Sequence, residues 1–457
     1  MKKITIFLLS LFSVIYISNA QEKVWTLEQC IKHAIDNNIT IKQQELQTQY
    51  QANTLKQSKL GQLPSLNAQA SNNFSFGRAL DETTYQFTDN QNVMSSNYYA
   101  GASLNLFNGL QTLNTIKSNE FELEAGLRDL EVIKNNISLS VALGYLQILL
   151  NKELVLVTNN QLLTSLEQIM KTSKMVEAGS LAKGNLLDIQ AQAAREESQL
   201  IDMQNNLSLS YLDLTQLLEL ESPEGFEIVS PEIAIENIGA IEGGVLTLYT
   251  EAESLRPEIE SARLKLKSAE FGLKIAKGGR SPRLSLSTSF STGYSDIRQK
   301  LLGIDPVTGP TYGTYSFGDQ INDNINYGIG LSLNIPIFNG WQVNTNISNS
   351  RISIQNSQYV LDGERKRLYK NIQQAYADAE ASLKSYAANL KAVESMEESF
   401  RYSEQKFNVG MVTPVEYNAA KTQLLKAQSD LAQAKYQYLF KVKVLDFYRG
   451  VLLTLDN

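Results

Sequence analysis

The residue types that catalyse reactions or hold metals are scarce in this chain of 457 residues, and their spacing suits neither task. There is one histidine and one cysteine. Cys30 and His33 stand one helical turn apart, and two ligands do not make a metal site. Gly179-Ser180-Leu181-Ala182-Lys183-Gly184 has the glycine spacing of a phosphate loop, but Asn185 and Leu186 stand where the lysine and hydroxyl belong, and no strand precedes it. No nucleophile–base pair stands out. The sequence therefore predicts no enzyme: no catalytic residue, no cofactor and no metal. Thr413-Pro414-Val415-Glu416 has the residues of a capping box, with threonine at the N-cap and proline first in the helix.

Composition narrows the classes further. Hydrophobic residues make up 43% and charged residues only 19%, with 21 tyrosines. One cysteine excludes an intrachain disulfide framework. A formal charge of −7 without any basic run excludes a nucleic-acid partner. Lys2-Lys3, the apolar stretch from Ile4 to Ile17 and Ser18-Asn19-Ala20 predict a secretory signal peptide over 1–20, cut after Ala20. Loss of its two lysines would leave the mature charge at −9. Cys30 lies ten residues beyond the cut, so it is not the lipid-bearing cysteine of an anchored protein.

The elements that would carry function come in two copies. Phe107-Asn108-Gly109 recurs as Phe338-Asn339-Gly340, and Gly179 recurs as Gly410, in both cases 231 residues on. Pro64 matches Pro282 at an offset of 218, so the second copy is 13 residues longer between its proline and its Phe-Asn-Gly. Extra length of that kind belongs in a surface loop. Apolar residues at three- and four-residue steps (Ala379, Leu383, Tyr386, Leu390, Val393, Met396; then Leu424, Ala427, Leu431, Ala434, Tyr438) mark helices with a heptad-like seam. A looser first-copy seam runs through Leu187, Ala191, Ala194 and Ile201. Helices are predicted over 26–61, 110–178, 185–220, 246–277, 341–409 and 414–449, with Gly179 and Gly410 reversing the chain at helical tips. The long ones would span about 100 Å at ~1.5 Å per residue, matched by two half-length helices end to end in a columnar body. An irregular equatorial segment at 221–244 separates the half-helices. The domain reading is a first repeat over 21–244 and a second over 245–457. The apolar stretch from Ile137 to Leu150 reads as buried helix packing, too short and interrupted for a membrane helix.

Two segments in each copy change to a period of two. Around 66–76, 98–106, 284–294 and 326–335, apolar residues alternate with serine, glycine and asparagine over about ten residues. An antiparallel sheet on a soluble core would alternate in this way. So would transmembrane strands with one face to lipid and one to a lumen, and the nearly uncharged polar face suits the latter. Trp341 and the tyrosines near strand ends suit a membrane-interface belt. Open sheet edges are excluded from lipid, and four strands do not close a barrel, so the chain must oligomerise. Two copies give eight strands, whose interior side chains fill. Small inward residues favour a wider ring, such as the twelve strands of three copies.

With these residues in hand, the sequence resembles the TolC-like outer-membrane efflux protein family over about 24–450. The doubled helix–strand–strand–long helix–half helix, the Phe-Asn-Gly junctions and the tip glycines carry the likeness. The resemblance implies an α+β membrane protein of the Gram-negative outer membrane. Its expected form is a homotrimer with a 12-stranded β-barrel continued by a periplasmic α-helical barrel. The implied partners are outer-membrane lipid, a periplasmic adaptor (membrane fusion) protein and an inner-membrane pump of RND or ABC type. The implied role is the exit duct of a tripartite efflux or type I secretion system. Loops near 77–96 and 295–325 would face outside, and the tips at Gly179, Gly410, Thr413 and Pro414 would meet the adaptor. The family's acidic aperture ring falls on Glu416 and Ala419, with Asn185 and Asp188 at the matching first-copy positions. Its tip ion pair falls on Asn185 and Val412, neither charged, so closure would rest on packing and hydrogen bonds. Glu416 then has two readings, helix cap and cation-binding ring. A secreted trimeric coiled-coil adhesin or structural stalk shares export, heptads and trimers, but leaves the two matched helix breaks and the embedded hairpins unexplained. A soluble periplasmic adaptor would lack the four strands.

Overall fold

The computed structural model describes residues 24–78, 80, 81, 86, 87, 89–231 and 244–455. The predicted signal peptide and residues 232–243 of the equatorial segment lie outside them. In chain order the elements are β1 (Val24–Trp25), α1 (Leu27–Asn37), α2 (Ile39–Leu60), β2 (Ser65–Gly77), β3 (Leu80–Asp81), β4 (Gln86–Phe87), β5 (Gln91–Phe107), α3 (Gln111–Glu177), α4 (Lys183–Leu217), β6 (Glu227–Ile228), α5 (Val245–Leu255), α6 (Pro257–Gly278), β7 (Arg283–Ser295), β8 (Gln299–Asp305), β9 (Gly309–Thr314), α7 (Phe317–Asp323), β10 (Asn326–Asn334), α8 (Gln342–Asn408) and α9 (Pro414–Tyr448). The chain divides into two compact units. One comprises Met1–Gln47, Leu127–Glu260 and Asp362–Asn457, the other Thr48–Gly126 and Ser261–Leu361.

The second unit holds a four-stranded antiparallel sheet in the order β10-β7-β5-β2. Residues directly opposite one another in such a sheet share a face. The register puts Leu333 opposite Leu284, Leu331 opposite Leu286 and Tyr327 opposite Phe290. The same face continues through Leu104, Ala102 and Ala100 of β5 to Leu66 and Ala68 of β2. Serines 285, 287, 289 and 291, with Gly328 and Gly330, share the opposite face. Both faces thus carry across all four strands, with Thr288 and Asn72 interrupting the apolar face and Tyr99 the polar one. The outer edges, on β2 and β10, pair with no strand among the described residues. Strand β5 starts at Gln91, earlier than its alternation suggested, and pairs with β2 along the whole of that strand.

The extra length of the second copy is structured rather than open loop. It forms the β8–β9 hairpin and α7, capped by Ser316 Oγ accepting from Asp319 N at 3.2 Å. Gln320 Nε2 donates to Ser295 O at 2.9 Å, and Asn324 Nδ2 to Gly293 O at 2.7 Å, tying α7 to β7.

Strand passes to helix through the same pair of left-handed residues in each copy. Gly109 and Leu110 have φ of 68° and 61°, and Gly340 and Trp341 have 61° and 67°. At Gly109 a side chain would meet Gly278 O, so only glycine allows that backbone approach. Nothing stands within 4 Å of the corresponding point on Gly340. Asn108 begins α3 by accepting from Thr112 N at 3.4 Å on its Oδ1.

The first unit holds the helical core. Val141, Ala142, Tyr145, Leu146, Ile148 and Leu149 of α3 pack with Leu27, Cys30 and Ala34 of α1, Leu214 of α4 and Leu439 of α9. By length and composition alone α3 contains a window apolar enough to cross a membrane, but half of that window is buried in the protein. The equatorial segment is not wholly irregular: Glu227–Ile228 pair in parallel with Val24–Trp25, and Tyr145 Oη donates to Val229 O at 2.6 Å.

Two predicted helices are each broken. Instead of one helix over 26–61 there are α1 and α2, parted at Asn38 (φ −59°, ψ 130°). Instead of one over 246–277 there are α5 and α6, parted at Arg256 (φ −73°, ψ 124°). The breaks are equivalent positions of the repeat, 218 apart like the prolines. In each, the extended residue reaches the carbonyl end of a half-length helix in the same copy. Asn38 Nδ2 donates to Leu217 O at 3.3 Å, and Arg256 Nη1 to Phe447 O at 3.3 Å. The last carbonyls of a helix lack intrahelical donors, so such a contact satisfies them.

Candidate functional site

The two helical tips are the sites where the sequence concentrated its candidate residues. Each is closed by the same hydrogen bonds. Gly179 N donates to Val176 O at 3.0 Å and Ser180 N to Met175 O at 2.9 Å. Gly410 N donates to Phe407 O at 3.0 Å and Met411 N to Lys406 O at 2.8 Å. With φ of 76° and 80° these glycines terminate α3 and α8 as Schellman motifs. The phosphate-loop spacing at 179–184 is therefore a helix reversal.

The tips lie together, around a cleft of about 660 Å³ bordered by Asn185 and Asp188 from the first copy and by Gly410, Val412, Thr413 and Pro414 from the second. Beneath it Tyr417 stacks on Phe407 with ring centroids 4.8 Å apart, Ile189 completes a buried cluster, and Val412 packs against that cluster. Glu416 does not border this cleft. Its carboxylate accepts from Thr413 N at 2.8 Å, while Thr413 Oγ1 accepts from Glu416 N at 3.3 Å. In this chain Glu416 is an exposed helix cap. Asp188 is exposed and Asn185 half-buried.

A buried polar cluster lies inside the helical packing, with no local sequence signal to mark it. Lys421 of α9 and Glu196 of α4 are 1% and 2% exposed, and their charges meet at 3.2 Å. The Lys421 ammonium also donates to Gln161 O at 2.8 Å and to Ser165 Oγ, both on α3. Ser165 Oγ donates to Glu196 Oε2 at 2.6 Å, and Gln192 Nε2 to Glu196 Oε1 at 3.0 Å. The buried face of α4 runs through Ile189, Ala193, Glu196 and Leu200. The predicted seam of Leu187, Ala191, Ala194 and Ile201 is exposed, with Leu187 54% and Ile201 59% accessible. The carboxylate of Glu196 interrupts the apolar pattern of the buried stripe.

Cys30 is fully buried, and burial, helped by the charge of Glu28, pushes its thiol up to about 12. His33 lies edge-on to Trp25 at 5.2 Å. No group of three or more potential metal ligands occurs among the described residues.

A doubled helical hairpin with closed tips is joined in sequence to a two-faced sheet whose outer edges pair with no strand among the described residues. The chain belongs to the outer membrane efflux protein family, whose model matches residues 30–219 and 248–450. It is 24% identical over 321 residues to the outer membrane protein TolC of Escherichia coli (strain K12), an alignment covering 70% of this chain and 62% of that one. Its fold is similar to that of CusC (TM-score 0.78, 16% identity, 93% of this chain and 92% of that one). It is also similar to that of the outer membrane protein VceC of Vibrio cholerae (TM-score 0.74, 16% identity, 93% and 96%). The chain is an outer-membrane protein and not a member of an enzyme family.

Proposed function

We propose that three copies of this chain form a channel through the outer membrane, the exit duct of a tripartite efflux or type I secretion system. The observation that carries the reading is the pair of sheet edges left without a strand partner among the described residues, and how the repeat relates them. Strands β2 and β7 are equivalent, as are β5 and β10. Within the chain the two copies join where β5 pairs with β7. The equivalent joint is β10 on β2 of a neighbouring copy, which uses both free edges and leaves none in lipid. Tyr99 pairs with Ser291, so Gly330 would lie opposite Asn73 of the neighbour. Three copies give a closed ring of twelve strands, the apolar face to lipid and the serine–glycine face to the lumen. The open space beside Gly340, where Gly109 has a neighbour, and the exposed stripe from Leu187 to Ile201 are surfaces that a second copy would cover.

In this reading residues 1–20 are the signal peptide, and the repeats at 21–244 and 245–457 together make one channel subunit. The β8–β9 hairpin and α7 face outside, and the helical tips reach into the periplasm. There they meet an adaptor protein working with an inner-membrane pump of the RND or ABC class. An adhesive stalk has no use for a sheet apolar on one face and polar on the other.

The test is assembly and conduction. Chain extracted from outer membranes should have the mass of a trimer and conduct ions in a planar bilayer. Gly330→Cys with Asn73→Cys should link copies covalently, since directly opposed strand residues fall within disulfide reach. A monomer without conductance and without cross-links would end this reading.

A further inference from the structure

The Lys421–Glu196 pair does something its surroundings do not. It joins three helices from both copies: α3 and α4 supply Gln161, Ser165 and Glu196, and α9 supplies Lys421. Every donor of the ammonium has a partner, and both carboxylate oxygens accept. Burial lowers the lysine's affinity for its proton, and the charge of Glu196 opposes that. Toward the tips the contacts change character. Tyr417, Phe407 and Ile189 pack without direction, and the buried hydroxyls of Tyr417 and Thr172 bond no protein group. An apolar layer tolerates sliding or tilting of one helix on another. A dry ion pair tolerates neither, because displacing α9 would leave two unpaired charges out of water.

We propose that Lys421 and Glu196 form a latch that holds α9 on α3 and α4 in a single register. The second-copy tip then parts from the first only on the tip side of this pair, and the pair sets how often it does so. The latch lies inside the helical packing, whereas the family resemblance would place an ion pair at Asn185 and Val412. Its relevance to conduction rests on the reading above that the tips are the closing end.

The test uses the full chain in detergent, with Lys183→Cys and Val409→Cys carrying spin labels and labelled chain diluted with unlabelled. Both positions are exposed at the tips, and the native Cys30 is buried away from the reagent. Pulsed electron resonance should give one narrow tip-to-tip distance. Glu196→Gln or Lys421→Met should raise the displaced population about tenfold or more, because either change leaves one buried group without its partner. Lys421→Met with Glu196→Leu covers the case in which the single variants do not fold. It should unfold at or above the native temperature and still show the broadened distance, since apolar side chains restore packing but not register. A narrow distance in the double variant would overturn the latch and leave the pair a packing element only. Broadened distances with unaltered bilayer conductance would leave the latch standing and refute the tips as the closing end.

Discussion

At the tip of the first copy the chain enters α4 from Ala182, which has no side chain to cap the helix; at the tip of the second it enters α9 from Thr413, with a full capping box and Pro414. The same contrast recurs at the helix breaks and at the ends of the half-length helices. The helix break is Asn38 in one copy and Arg256 in the other. The left-handed residue ending the half-length helix is Glu219 in one (φ 57°) and Gly450 in the other (φ 75°). Glu219 uses its side chain, accepting from Ile39 N at 3.2 Å across the break in α1–α2. Backbone geometry has been kept where side-chain chemistry has not. The duplication therefore specifies where the chain turns, and each copy has found its own means of holding the turn.

The largest difference should appear at the breaks. Arg256 is buried, meets Glu258 at 3.0 Å and lies over the Phe447 ring at 4.1 Å, besides bonding Phe447 O. Arg256→Ala leaves Glu258 without that partner and opens a gap, at a cost of about 3 kcal/mol. Asn38→Ala loses one hydrogen bond to a helix end, about 1 kcal/mol. Urea unfolding of the detergent-solubilised chain measures both. Equal losses would mean that the backbone alone holds the breaks and the side chains are incidental.

Local signals are legible: the alternation along Leu284–Tyr294 falls on β7, and the glycines at 109, 179, 340 and 410 take left-handed backbone, because these rules act within a few residues. The break at Asn38 was hidden because its hydrogen bond reaches Leu217, far along the chain. Pro257 did mark the second break, as a proline at the first turn of a new helix, and the repeat would have carried that mark back to Ile39. Lys421 and Glu196 were hidden for a different reason. On a helix a charged residue at a seam position looks like a solvated one, and only the facing helices reveal that it is dry. Glu196 also breaks the apolar pattern of α4's buried face, which runs through Ile189 and Ala193, while the seam at Leu187 and Ala191 is exposed within the chain.

The tip glycines should respond alike, which sharpens the claim that geometry is the conserved quantity. Around both Gly179 and Gly410 there is open space, so a methyl group meets nothing, and only the left-handed backbone opposes it. Gly179→Ala and Gly410→Ala are each expected to cost about 1–2 kcal/mol. A loss at Gly410 several times that at Gly179 would show that the two turns are not equivalent after all.

The smallest effect separates the tips where they do differ. Thr413 bonds the N-terminus of α9 through Glu416 N, and Glu416 returns the bond to Thr413 N. Thr413→Ala should cost about 1 kcal/mol. At the matching position Ala182 already has the extended backbone of an N-cap (φ −73°, ψ 144°), so Ala182→Ser should add a bond without moving the chain. The expected gain is about 0.5–1 kcal/mol, read from the same urea transitions. Hydrogen exchange at the first amides of α4 and α9 locates the effect: exchange near Asn185 should slow in Ala182→Ser, and exchange at Glu416 should quicken in Thr413→Ala. If Ala182→Ser leaves exchange and stability unchanged, the first tip is held from beyond its own turn, and its missing cap is not the weakness that the comparison makes it.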